Sequence, residues 1–283
     1  MNFDSPSVDV RVRRQPPRRC SSHAIGLRLP AILLLALALV GCGSGQRGSQ
    51  GGYSERPPSN RTAYVAWQEW TKFGRSTVVY GGVANGYSNR NGVTERSEPL
   101  SSRVGDYWGS CGHPEWNGKT SGRPWSGAFV SWVMSHSGVS QRDFTPAGRH
   151  GTYLASLYDR QRSGASGFRL HAPSEYTPKA GDLICTGTAG PSWRFAEPRM
   201  AHRRLDNTAN HCDVVTDLRG GFVHAVGGNV KNSVTMSLYP VDSRGRLVPF
   251  AGKTWFLATS ALPAALYGGA ARPVAGAVLS RLH

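Results

Sequence analysis

Ser126, His211 and Asn229 are residue types that together can carry out acyl transfer. A hydroxyl nucleophile needs a base to take its proton and a third polar group to fix the tautomer of that base. Ser126 sits in RPWSGAFVSWVM, where an apolar run begins. His211 opens the run HCDVVTDL, and Asn229 ends the later stretch VGGN. Such a nucleophile belongs at the start of a helix, where backbone N–H groups and the helix dipole favour negative charge. A histidine on a neighbouring strand could supply that base. A serine at a helix start also has a plainer use, as a cap that accepts a first-turn N–H. Both uses of Ser126 stay open on the sequence. A serine is far less ionised at neutral pH than a cysteine, whose pKa is about 8.5, so it depends on a well-placed base.

Further residues could surround such a site. Asp213 lies two positions after His211 and so shares its strand face. It is either a second polar site residue or a carboxylate paired with an arginine. His150 precedes a helical run and either lines a cleft or simply starts the helix. Trp125, Tyr107 and Trp108 could wall a sugar or peptide site, or pack in the core. Cys111, in the Gly-containing loop SCGHPEWNG, is an alternative nucleophile without a helix start behind it. Cys185 and Cys212 fall on runs expected to be neighbouring strands, where a disulfide is possible if they face each other across a non-hydrogen-bonded pair. His202 and His224 have no evident partner. No CxxC or HExxH pattern is present, so no metal and no cofactor is expected.

The elements that must position these residues can be read from periodicity. Residues 62–74 place apolar side chains at helical spacing and end at a glycine. Residues 95–109 should hold a second helix and 126–137 a third, stopped by Gly138. Thr145-Pro146 has the pattern of an N-cap followed by a first helical residue, ahead of Tyr153, Leu154, Leu157 and Tyr158. The period then changes. Strands are expected within 178–187, at 211–218, at 222–226 after the Gly220-Gly221 turn, at 233–241 and at 253–259. Residues 188–207 form a long connection. Helices first and an antiparallel meander afterwards make an α+β domain.

The first 60 residues read differently. Six arginines, Arg11, Arg13, Arg14, Arg18, Arg19 and Arg28, precede the apolar run AILLLALALV, which is too short for a helix to span a bilayer. Leu39-Val40-Gly41-Cys42 follows, and it resembles a bacterial lipobox whose cysteine is lipidated. Residues 1–41 are therefore expected to be a lipoprotein signal peptide, and 42–58 a Gly/Ser/Pro tether. The folded domain should span 59–262, followed by a C-terminal tail at 263–283 that could be helical. The chain carries a formal net charge of +16. With an export signal, that charge points to anionic envelope polymers and lipid head groups, and the scattered arginines do not suggest nucleic acid.

Four segments, in order, resemble the NlpC-type and CHAP-type cell-wall hydrolases. WSGAFVSWVM is similar to their nucleophile helix, AGDLICTG to their first strand, NHCDVV to their histidine strand, and GGNV to their third-residue segment. The whole set, over residues 62–258, more closely resembles the domain of unknown function 2272, a bacterial family related to that superfamily. The resemblance implies a papain-like fold, with N-terminal helices packed on a small antiparallel sheet. It implies a peptidoglycan amidase or endopeptidase with Ser126 where active relatives have cysteine, His211 as base and Asn229 as orienting residue. The expected partners are peptidoglycan or another anionic envelope polymer and, through a lipid on Cys42, the periplasmic side of the inner or outer membrane. The rival expectation is a catalytically inactive relative that keeps the groove and binds peptidoglycan or an envelope partner.

Overall fold

The computed structural model describes residues 56–81, 86–89, 92–120, 122–187, 210–250 and 255–261. The expected leader, Cys42, most of the tether, the 188–207 connection with His202, and the 263–283 tail lie outside them.

Four helices precede most of the sheet. α1 (Arg61–Lys72) starts where the Asn60 side chain accepts the Ala63 N–H at 3.1 Å, and it buries Ala63, Val65, Ala66 and Trp70. α2 (Leu100–Gly109) begins later than the sequence pattern suggests. Pro99 stands just before it, and a proline disfavours helical backbone in its predecessor. Glu69 of α1 binds α2 by accepting from Arg103 Nε at 2.7 Å and from the Tyr107 hydroxyl at 2.6 Å. α3 (Ser126–His136) is buried along Ser126–Met134, as expected of a helix that is apolar on nearly every side.

α4 (His150–Arg162) corrects the reading of Thr145-Pro146 as its start. That pair lies in a loop held elsewhere. Thr145 Oγ1 accepts from Arg160, and Ala147 is tied to α3 by two bonds to Ser131, Oγ to the carbonyl at 2.9 Å and N–H to Oγ at 3.0 Å. These bonds hold the pair in the loop ahead of α4, whose N-cap is Arg149.

The strands are β1 (Ser76–Val79), β2 (Gly86–Ser88), β3 (Phe168–His171), β4 (Leu183–Gly187), β5 (Asn210–Arg219), β6 (Phe222–Val230), β7 (Ser233–Pro240) and β8 (Trp255–Ala261). They form one eight-stranded sheet in the order β2-β1-β7-β6-β5-β4-β8-β3. The expected meander is present as β4 to β7, all antiparallel. The sheet is nevertheless larger than expected and mixed, because β1 pairs in parallel with β7. Three strands that lie before the meander, each of three or four residues, and β8 after it, between β4 and β3, complete the sheet.

Alternation along the strands fills two layers. Val214, Val226 and Met236 pack with Trp70, Phe129 and Leu154 on the helical side. Val215, Ala225 and Tyr239 pack with Phe250 and Trp255 on the other. Cys185 of β4 and Cys212 of β5 are register partners and form a disulfide, with Cα atoms 4.2 Å apart. That spacing is close to the narrow, non-hydrogen-bonded pair of an antiparallel ladder.

Candidate active site

Two helices start at one cleft. Ser126 is the first residue of α3 and His150 the first of α4. Gly127 permits the approach. A Cβ there would lie 2.5 Å from the Gly148 carbonyl oxygen, so α3 begins against the backbone that leads into α4. The N-cap of α3 is Trp125, so Ser126 is the first helical residue and not the cap. The Ser126 hydroxyl lies 2.7 Å from His150 Nε2. The other ring nitrogen of His150, Nδ1, is 2.5 Å from the Tyr153 hydroxyl, one helical turn on.

Both side chains are shielded from water, Ser126 at 7% exposure and His150 at 4%. Burial, and then the neighbouring charge of His211, hold the His150 pKa well below 6.5. The ring is therefore neutral at pH 7. Burial, with Asp213 and Cys111 adding to it, pushes the Tyr153 phenol well above 10, so it keeps its proton.

His211 stands beside this pair rather than in it. Its ring is 5.4 Å from that of His150, centroid to centroid, and nearly perpendicular. Its Nε2 lies 2.7 Å from Asp213 Oδ1, and Asp213 Oδ2 accepts from the Tyr239 hydroxyl at 2.6 Å. Asp213 is 1% exposed. Strand alternation places His211 and Asp213 on one face, and Gly227 of β6 leaves room for them. A Cβ at Gly227 would lie 1.8 Å from Asp213 Oδ1 and 3.0 Å from His211 Nε2. Gly228 serves the opposite face, where a Cβ would lie 2.4 Å from Phe129 Cβ. The GGN stretch is thus the place where the sheet meets both α3 and the His211–Asp213 pair.

Asn229 follows these glycines in a register shift of the β6–β7 ladder, with a φ of 60°. It lines the cleft, but the group hydrogen-bonded to His211 is Asp213. The expected grouping of Ser126, His211 and Asn229 is therefore brought to one cleft, while the hydrogen bonds pair Ser126 with His150 and His211 with Asp213.

The cleft has a volume of about 860 Å³, and Trp108, Cys111 and Arg149 are on its lining with these residues. Of the three aromatic candidates, Trp108 lines it. Trp125 and Tyr107 belong to the core instead. Trp125 donates its indole N–H to Glu95 at 2.5 Å, and Tyr107 stacks on Trp125 with ring centres 5.7 Å apart. Cys111 is a free thiol in the cleft lining, and burial raises its pKa above 9.0, which disfavours the thiolate. Among the described residues, no three His, Cys, Asp or Glu side chains converge as metal ligands.

Tyr153, Tyr239 and Arg149 were not apparent as site residues in the sequence. Tyr153 had a readable signal, since it is three residues from His150 on one helix face. Tyr239 had none, because its approach to Asp213 depends on the register of three strands.

Chemically, the arrangement offers a hydroxyl on a neutral imidazole and a second imidazole on a buried carboxylate. It also offers the first-turn amides of α3, which have no carbonyl within their own helix to donate to. No curated protein and no solved structure matches the chain. Residues 95–259, more than half of the chain and including every cleft residue named above, match the family described as "Uncharacterized protein conserved in bacteria (DUF2272)". The protein belongs to that family.

Proposed function

We propose that the protein is an acyl hydrolase of the cell envelope that cleaves amide bonds of peptidoglycan with Ser126 as nucleophile. The observation that carries this reading is the 2.7 Å contact between Ser126 Oγ and a neutral, buried His150 Nε2 at a helix start. His150 donates its Nδ1 proton to the Tyr153 oxygen, which leaves the Nε2 lone pair for the serine proton. Ser126 attacks the carbonyl, and first-turn amides of α3 stabilise the oxyanion. His150 returns the proton to the departing amine, and water then releases the acyl group by the same steps. His211, held by Asp213, stands where it can orient the substrate or share the proton.

The order of motifs supports a papain-like arrangement related to the NlpC and CHAP hydrolases. The basic charge and the Cys42 lipobox support a lipid-anchored protein between membrane and wall. The buried partner of His150 is a phenol and not a carboxylate. That single feature favours the second reading, a module that binds peptidoglycan or an envelope partner without cleaving it.

The test uses the full chain with intact peptidoglycan and a fluorophosphonate probe. Fragments should appear in the mass spectrum, and the probe should label Ser126. Both signals should vanish in Ser126→Ala. Wall binding without fragments or labelling would sink the hydrolase and leave the binding module.

A further inference from the structure

We infer that the cleft selects a substrate bearing a free carboxylate close to the reacting carbonyl, with Arg123 and Arg149 as the residues that recognise it. This inference rests on the reading of Ser126 as the reacting group. The cleft lining contains Arg123, Arg149, His113, His150 and His211, and no Asp or Glu among the described residues. Two carboxylates touch lining residues from outside the cleft: Asp213, buried behind His211 with its two oxygens engaged by His211 and Tyr239, and Glu115, whose Oε1 is 3.5 Å from His113 Nδ1. The starts of α3 and α4 add two positive helix ends, from helices of 11 and 13 residues.

The second observation is an unmet donor. Trp108 lines the cleft at 3% exposure, and its indole N–H has no acceptor among the described residues. A buried donor without a partner is costly unless an acceptor arrives. Trp108 is held edge-on against Trp116, with ring centres 4.9 Å apart, and a Cβ at Gly148 would lie 2.8 Å from its ring. Trp116 also stacks on His113 at 4.1 Å and carries the Arg123 guanidinium over its face at 4.5 Å. One wall of the cleft therefore presents a guanidinium on an aromatic platform beside an N–H that lacks an acceptor. A carboxylate suits both, since a planar guanidinium can pair with it through two hydrogen bonds.

The probe pair is N-acetyl-D-alanyl-D-alanine and its C-terminal amide. Binding is measured by calorimetry on the full-length Ser126→Ala protein, and turnover on the wild type. The acid should bind about tenfold or more tighter than the amide, the scale of one charge-assisted pair. Arg123→Gln and Arg149→Gln should each erode that preference, while Arg123→Lys and Arg149→Lys should retain part of it with unchanged thermal unfolding. Trp108→Phe should weaken acid binding while keeping the ring packing.

Equal affinity for acid and amide, absence of binding to both, or a preference that survives both glutamine variants would overturn the inference. Inorganic phosphate that competes as well as the acid, at matched ionic strength, would overturn the carboxylate assignment in favour of a general anion site. An acid preference in Ser126→Ala with no turnover by wild type would uphold the inference and remove the hydrolase reading. Turnover of both probes at one rate would do the reverse.

Discussion

At the scale of single residues, the site turns on which imidazole serves Ser126. From the resemblance alone, the base is expected at His211. The hydrogen bond runs to His150, since α4 starts at the same cleft as α3. A sequence shows that both histidines exist. It does not show that Gly127 lets α3 press on the backbone just before His150. That Asp213 shares a face with His211 was legible through strand alternation, whereas its partnership with Tyr239 was not. The assignment has a kinetic consequence. Removing a general base costs on the order of 10²–10⁴ in rate, so His150→Gln should lose that much while His211→Gln loses less. Because burial holds His150 neutral well below 6.5, kcat/KM of the wild type should stay level as pH falls through 6.5. A rate that declines with a midpoint at 6.5 would point away from His150.

At the scale of elements, the helices and the meander were legible because each carries a sustained period. β1, β2 and β3 were not, since three or four residues cannot display alternation, and the parallel pairing of β1 with β7 links distant parts of the chain. The glycines of β6 show how an element serves the site. In sequence, VGGN stands out only through the resemblance of GGNV to a third-residue segment. In the fold, Gly227 and Gly228 keep β6 bare on both faces, one toward Asp213 and the other toward Phe129. Gly227→Ala should therefore act on the His211–Asp213 pair without touching Ser126. Its methyl would meet a carboxylate oxygen at 1.8 Å. The strain of overpacking is typically about 1–3 kcal/mol, so urea unfolding should show a loss in that range. Probe labelling of Ser126 should fall less than peptidoglycan turnover, because the serine and His150 keep their contact. A silent Gly227→Ala, in both stability and turnover, would mean that Asp213 can move away at no cost.

At the scale of the whole molecule, several buried groups make stability depend on acidity, and their signs differ. Burial depresses His150 well below 6.5 and lowers His224 from 6.5 to about 4, with the Arg219 charge adding to the effect on His224. The folded state then binds fewer protons than the unfolded chain across that window. Stability from these two groups is fully present above 6.5 and is lost as pH falls through their folded values. Glu69 is first pushed up by burial, but its bonds to Arg103, Lys72 and Tyr107 outweigh this and leave it below 4.5. Its contribution is present above 4.5 and fades at lower pH. Asp182 opposes them. Burial raises it from 3.8 to about 6, so its contribution is complete below 3.8 and is lost as pH rises through about 6. Two histidines therefore work against one aspartate between pH 4 and 6.5, and stability should rise with pH across that range. Asp182→Asn removes the opposing group and should steepen the rise in melting temperature over that interval. His224→Asn should flatten it, since the asparagine does not titrate. Parallel curves for wild type and both variants would show that neither group is buried in the way the fold places it.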